Sequence, residues 1–290
     1  MKRLEFWLVT TAHLTNGLWF RDDSDFKVGM NHVALVASSS NVIVIAFILM
    51  SNHVHFVLQG TYEDCLLFIT RFKKIYAQYY AHRYGSKELL RRNDVNLLEL
   101  RADDESLERA IAYVQMNCVA ANICLNANEY RWGTGNSFFN PSPPKGVPVS
   151  SFSVRMRRQL MHSAADIPRD YCVLDDGYVS PSSYIQIGFV EKLFRTPKRM
   201  NFFLQNSSKA KRQSEFGDND APAFRDQVLS AAVQDLCRST FHCAAVNELN
   251  DTQKGELLRQ LRYRFSANPS QLARVSGLTY EQVSSLLDVY

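Results

Sequence analysis

Two groups of side chains in this chain have the types and the spacing to do chemistry. The first is His53-Val54-His55. Successive side chains of a strand alternate faces, so these two histidines point the same way, and two imidazoles on one face are a ready pair of metal ligands. The second is Tyr113 and Asn117, four residues apart and so one above the other on a helix. Leu107, Ile111, Val114, Cys118 and Ala121 give that helix a buried stripe, with the phenol and the amide at its edge. Gln115 falls on another face and is a poor third ligand. Each group also has an ordinary reading. With 7 histidines in 290 residues, an H-x-H arises by chance with odds of roughly one in six, and a tyrosine at a core edge beside a surface asparagine needs no chemistry.

The elements that must position these residues follow from the apolar pattern. Phe6–Ala12, Asn41–Leu49, His53–Gln59 and Asn96–Arg101 read as strands, being short and rich in β-branched, aromatic or leucine residues. A helix over about Phe26–Ala37 has Asp22–Asp25 to cap it. Tyr62–Tyr84 has helical spacing through Leu66, Ile69, Phe72 and Tyr76, with Arg71, Lys73 and Lys74 on or beside its outer face. Phe72 and Tyr76 fit core packing better than a nucleic-acid surface. Asp103–Leu125 reads as one long helix, with Asp103, Asp104 and Glu105 at its positive end. The expected fold class is α+β, an antiparallel sheet with helices on one face.

Charge and composition set outer bounds. Apolar residues are 46%, Gly and Pro only 12 and 9 residues, which excludes collagen-like and largely disordered chains. The net charge of +4 lies wholly after residue 140, since residues 1–140 hold 14 basic and 14 acidic side chains. The excess gathers at Arg155, Arg157, Arg158, Arg195, Lys198, Arg199, Lys209, Lys211 and Arg212, a distribution compatible with a polyanion or with ordinary solvated surface. The longest apolar run, Asn41–Met50, is too short to span a bilayer, and no signal peptide is legible. The six cysteines form no CxxC pair, so reduced thiols and a cytoplasmic location are expected. Four prolines within Asn140–Pro148 mark a boundary. The expected division is 1–140, a linker at 141–150, a mostly helical 151–215 and a helical 216–290.

Taken together, the two groups resemble a known family. Met50-Ser51-Asn52-His53-Val54-His55 resembles the metal-binding strand of single-tyrosine HUH transposases, and Tyr113-Val114-Gln115-Met116-Asn117 resembles their nucleophile helix. Glu129-Tyr130-Arg131-Trp132 and Ser137 are similar to the stretch that follows in the REP-associated branch of the insertion-sequence-200-like superfamily. The resemblance covers about residues 5–140. Ser51, Cys118 and Ala120 depart from it, standing where Pro, Pro and Arg are usual; loss of the Arg bears on DNA affinity more than on chemistry.

The resemblance implies a ferredoxin-like HUH domain holding Mg²⁺ or Mn²⁺ on His53, His55 and Asn117, with Tyr113 as the nucleophile. A cation there offsets the charge that builds up on an attacked phosphodiester. Two imidazoles and an amide suit Mn²⁺ better than a carboxylate cage would. Attack would give a 5′-phosphotyrosine and a free 3′-OH, so strands could be cut and rejoined without ATP. The implied partner is single-stranded or hairpin DNA at a bacterial nucleoid; a homodimer is compatible, and no membrane is. Arg71, Lys73, Lys74 and Arg274 are the expected DNA contacts. Gln271-Leu272-Ala273-Arg274, Gly277 and Val283 have helix-turn-helix spacing, although Thr279–Gln282 holds no Lys or Arg. Two other readings stay open: a fold-retaining DNA binder without turnover, and a helix-turn-helix regulator.

Overall fold

The computed structural model describes residues 4–14, 17–85, 93–101, 105–121, 123–207, 224–265 and 267–288. Asp103, Asp104, Lys209, Lys211 and Arg212 lie outside the described residues.

Strands β1 (Glu5–Thr11), β2 (Ile43–Met50), β3 (His53–Gly60) and β4 (Val95–Leu100) form, among the described residues, a four-stranded antiparallel sheet in the order β2-β3-β1-β4. Helix α1 (Asp23–Ser38) joins β1 to β2, and α2 (Tyr62–Tyr84) joins β3 to β4. Each helix thus links two parallel strands with a third strand between them, the interlocked split βαβ arrangement. The helix ends are set by local chemistry. Asp22 and Thr61 accept hydrogen bonds from Asp25 N and Asp64 N, and Gly85 ends α2 in the left-handed region at φ 73°.

The sheet is covered on both faces, not one. Phe56 meets Phe68 and Phe72 of α2 edge-on at 5.3 and 5.7 Å. Its neighbour His55 points the other way, to Tyr113 on α3 (Ser106–Gln115). Helix α1 lies on the α2 side, where a Cβ on Gly29 would be 3.0 Å from Leu49 Cδ1. Double coverage explains why β2 and β3 are buried almost throughout and show no alternation of buried and exposed residues. The single long helix expected over 103–125 is also corrected. It breaks at Met116 into α3 and the short α4 (Asn117–Ala120).

Proline-rich residues 141–148 separate two stretches of sequence but not two cores. Gly146–Pro148 (β5) pairs with Cys172–Leu174 (β6). Helix α5 (Val154–Met161) lies by α1, while Val190 and Phe194 of α6 (Ile187–Phe194) and Met200 and Phe203 of α7 (Pro197–Gln205) join the core of the sheet. Residues 224–288 build a separate core from Leu229, Val233, Leu257, Leu261, Leu272 and Val283. Its helices are α8 (Asp226–Ser239), α9 (Asp251–Phe265), α10 (Pro269–Ser276) and α11 (Tyr280–Asp288). Gly277, at φ 75°, turns the chain between the last two. Among the described residues no helix is long and apolar enough to cross a membrane.

One buried group gives the fold a pH dependence. His32 Nε2 on α1 lies 3.1 Å from Met161 O at the end of α5, and burial lowers this imidazole to about 4 from 6.5. The unfolded chain therefore takes up the proton first. Stability is full above about pH 6.5 and falls as pH drops toward 4, by at most ~3 kcal/mol from this group. Urea midpoints measured from pH 7.5 to 4.5 should fall in the wild type and fall less in His32→Gln, which keeps a donor for Met161 O; parallel profiles would contradict the assignment.

Candidate functional site

The site is built at the tip of the β2–β3 hairpin. Met50 pairs with His53 across the turn residues Ser51 and Asn52, and Ile48 pairs with His55. Neither turn residue has positive φ, so this is not the primed turn that matches strand twist by itself. The surroundings hold it instead. Ser51 O accepts from Trp19 N (2.7 Å) and Phe20 N (3.2 Å), and Asn52 O accepts from Leu14 N (3.0 Å).

That clasp lays a third imidazole against the first two. The ring of His13, two residues beyond β1, stacks on His53 at 3.7 Å between centroids and 15° between planes. The rings of His53 and His55 are 4.7 Å apart at 88°. One nitrogen from each of His13, His53 and His55 falls within a group whose members all lie within 4.8 Å of one another. His53 and His55 are buried and His13 is exposed, so the group is reached from one side. Three imidazole nitrogens on separate backbone anchors suit a borderline divalent ion such as Mn²⁺ and leave coordination positions open for oxygen ligands. The donor set fits such a cation.

Asn52 fixes the chemistry of His53. Its Nδ2 donates to Leu14 O (3.1 Å), which turns its Oδ1 toward His53 Nδ1 at 2.8 Å. An amide oxygen only accepts, so Nδ1 carries the proton and Nε2 is the basic nitrogen. A hydrogen bond of this kind orients an imidazole for metal ligation.

Tyr113 stands next in the row. Its half-buried ring lies 5.5 Å from that of His55, at 88°. The buried Asn117, one turn on and just past the helix break, donates from Nδ2 to Tyr113 O (2.9 Å) and Val114 O (3.2 Å). Its nitrogen is thus spent on its own helix, and Oδ1 is the face that remains for a ligand.

The expected DNA contacts are not gathered here. Arg71, Lys73 and Lys74 belong to α2, on the opposite face of the sheet. Arg71 donates to Ser39 O, and Lys74 is exposed. Lys73 donates to Asn93 O, and burial lowers its pKa; Asn93 in turn donates to Ala12 O, beside His13. Arg274 reaches the site indirectly. It donates from two nitrogens to the buried carboxylate of Asp226, which also accepts from Gln271 Nε2 and from Ser51 Oγ at 2.6 Å. Ser51, where the resembled family has Pro, thus ties the hairpin tip to the C-terminal helices. A cleft of about 220 Å³ beside His13 and His53 is walled on its far side by Arg225, Asp226, Ser270 and Arg274.

Sequence reasoning missed His13, Asn52 and Asp226. For His13 a signal exists in principle, because Thr10 is level with His55 and the chain two or three residues on must pass His53. Using it requires knowing that β1 and β3 are neighbours.

No family model matches the sequence, and no curated protein matches it. A solved structure of a REP-associated tyrosine transposase bound to a REP hairpin is similar over 46% of this chain and 78% of its own, with a TM-score of 0.36 and 13% identity.

The outer-shell role of Asn52 is directly measurable. By calorimetric titration with Mn²⁺, Asn52→Ala should weaken binding about 10–100-fold, and Asn52→Asp, which keeps an acceptor for His53 Nδ1, should weaken it far less. Equal affinities in all three proteins would exclude this part of the site.

Proposed function

We propose that this chain is a transposase-like DNA strand transferase that cuts and rejoins single-stranded DNA through Tyr113. The observation that carries the reading is the row of rings, His13 on His53, His53 by His55, His55 by Tyr113. A cluster of nitrogen donors and a phenol, borne on different elements, meet at the end of the sheet where the β2–β3 hairpin turns. The motif resemblance supports the same reading from the sequence side.

His13, His53 and His55 would hold Mn²⁺ or Mg²⁺, with the oxygen of Asn117 as a further donor. When bound, such a cation supplies positive charge to the non-bridging phosphate oxygens. The chain's own residues do the rest. Tyr113 Oη forms a bond to phosphorus as the bond to the 3′-oxygen breaks. The phenol proton leaves to solvent, and the 3′-oxygen regains one. The product is a 5′-phosphotyrosine whose ester bond is conserved, so a 3′-OH can attack it, release Tyr113 and rejoin a strand. A free single strand can lay its phosphates across such a strand end, where the stacked core of a duplex would not bend in.

The C-terminal helices form the second wall of this cleft. In this reading Arg274 acts by holding Asp226 in place, and Arg225, exposed at the cleft, meets phosphate. Helix α11 carries no Lys or Arg, so the helix pair α10–α11 serves as a docked wall. Arg71, Lys73 and Lys74 would grip strand that leaves the site around the sheet.

The test is covalent capture. Incubated with Mn²⁺ and a hairpin oligonucleotide with a single-stranded 5′ extension, the wild type should yield a denaturation-resistant adduct that carries a 3′-end label and not a 5′-end label. Tyr113→Phe should yield none. An adduct that persists in Tyr113→Phe, or no adduct from a wild type that binds the oligonucleotide, would reject the strand-transfer chemistry and leave a DNA binder.

A further inference from the structure

Two residues beyond Tyr113 on α3, a second cleft of about 620 Å³ opens between this helix, residues 125–139 and α7. It lies within the size range of small-ligand sites. Its chemistry is unusual in two ways. Five carboxamides line it, Gln115, Asn126, Asn128, Asn201 and Gln205, and among the described residues no charged side chain does. Met116, Phe138 and Met200 supply flat apolar wall. Gly135 is required there, because a Cβ at that position would lie 2.2 Å from Ala127 O and force the two loops apart.

The second peculiarity is Gln115 itself. It is only 2% exposed, and among the described residues neither its Nε2 nor its Oε1 has a hydrogen-bond partner. A buried amide with donor and acceptor both unsatisfied destabilises a fold. Its place in the lining of a cleft points to a ligand with one acceptor and one donor side by side. With no cation in the lining, the cleft favours a neutral ligand over phosphate or carboxylate.

We infer that this cleft receives one nucleobase of the bound strand, adenine in the first instance, turned out of the stack and read by Gln115. A glutamine amide matches the N6 donor and N7 acceptor of adenine in two parallel hydrogen bonds, and methionine and phenylalanine give the base a surface to pack on. The inference rests on the strand-transfer reading for the strand itself, and it adds sequence selectivity two residues from the nucleophile. Gln115 is then a specificity residue. The cleft contains none of the three histidines, and Gln115 lines it while sharing the helix of Tyr113.

The experiment is anisotropy with a fluorescein-labelled oligo-dT 12-mer holding one central adenine or one abasic site, in EDTA so that nothing is cut. The wild type should prefer adenine by about tenfold or more. Gln115→Met, of similar size and without the amide, should bind both strands with the abasic affinity. It should melt at or above the wild-type temperature, because an unsatisfied buried amide has been removed. Equal wild-type affinity for the two strands leaves only water in the cleft and overturns the inference, while the parent reading stands. Discrimination that survives in Gln115→Met overturns it too. If neither strand binds in EDTA, covalent capture with Mn²⁺ and the hairpin oligonucleotide decides the parent reading, and saturation-transfer NMR with free adenosine decides the pocket alone: adenine H2 and H8 signals lost in Gln115→Met uphold it, and their absence from the wild type overturns it.

Discussion

Met50 and His53 face each other across a turn of two residues that lacks the backbone conformation such turns normally use. Left to itself this hairpin tip would fray or slip, and a slip of one residue would send both histidines to the α2 face of the sheet. The carbonyls of Ser51 and Asn52 are instead bound by the amides of Leu14, Trp19 and Phe20. Each such bond contributes about 0.5–1.5 kcal/mol net, and more is lost if a buried partner is left unmade. The same clasp carries the segment with His13 across the tip, so holding the turn and assembling the histidine cluster are one structural event.

Covering the sheet on both faces divides the labour. The α1–α2 side is a packed aromatic core, with Trp19, Phe20, Phe26, Phe72 and Tyr76 all fully buried. The α3 side keeps polar groups at depth: His53, His55, Gln115 and Asn117. Burying polar groups is costly unless each has a partner or a ligand. Asn52 serves His53, and Asn117 serves the end of its own helix. The break at Met116 sets Asn117 just past the end of α3. Asp226 extends the scheme to the C-terminal helices. A buried carboxylate bound by a serine, a glutamine and a two-pronged arginine is a specific docking device more than a source of stability.

Much of this was legible in the residues because local pattern and tertiary packing agree. The span Tyr62–Tyr84 matches its helix end to end, helped by a Thr cap and a Gly stop. The H-x-H alternation put His53 and His55 on one face and the i, i+4 spacing put Tyr113 above Asn117, but only the family resemblance set the tyrosine against the histidines, whose nearest ring lies 5.5 Å from it. Where local pattern is silent the reading failed. The apolar stripe over 107–121 continues through the Met116 break, so periodicity shows no interruption. The second covered face is a property of the sheet as a whole. Arg71 and Lys74 are exposed on α2 whichever face that helix covers, so their sequence positions carry no information on distance from the site. His13 sits past a strand end, where no period applies.

The account stands on three imidazoles acting together as one cation site. Crystals equilibrated with Mn²⁺ and measured at the manganese edge test this most directly. The account predicts a single strong anomalous peak within bonding distance of His13, His53 and His55, on the side open to Tyr113. A peak bound by His53 and His55 without His13, or manganese found only elsewhere on the chain, would contradict it.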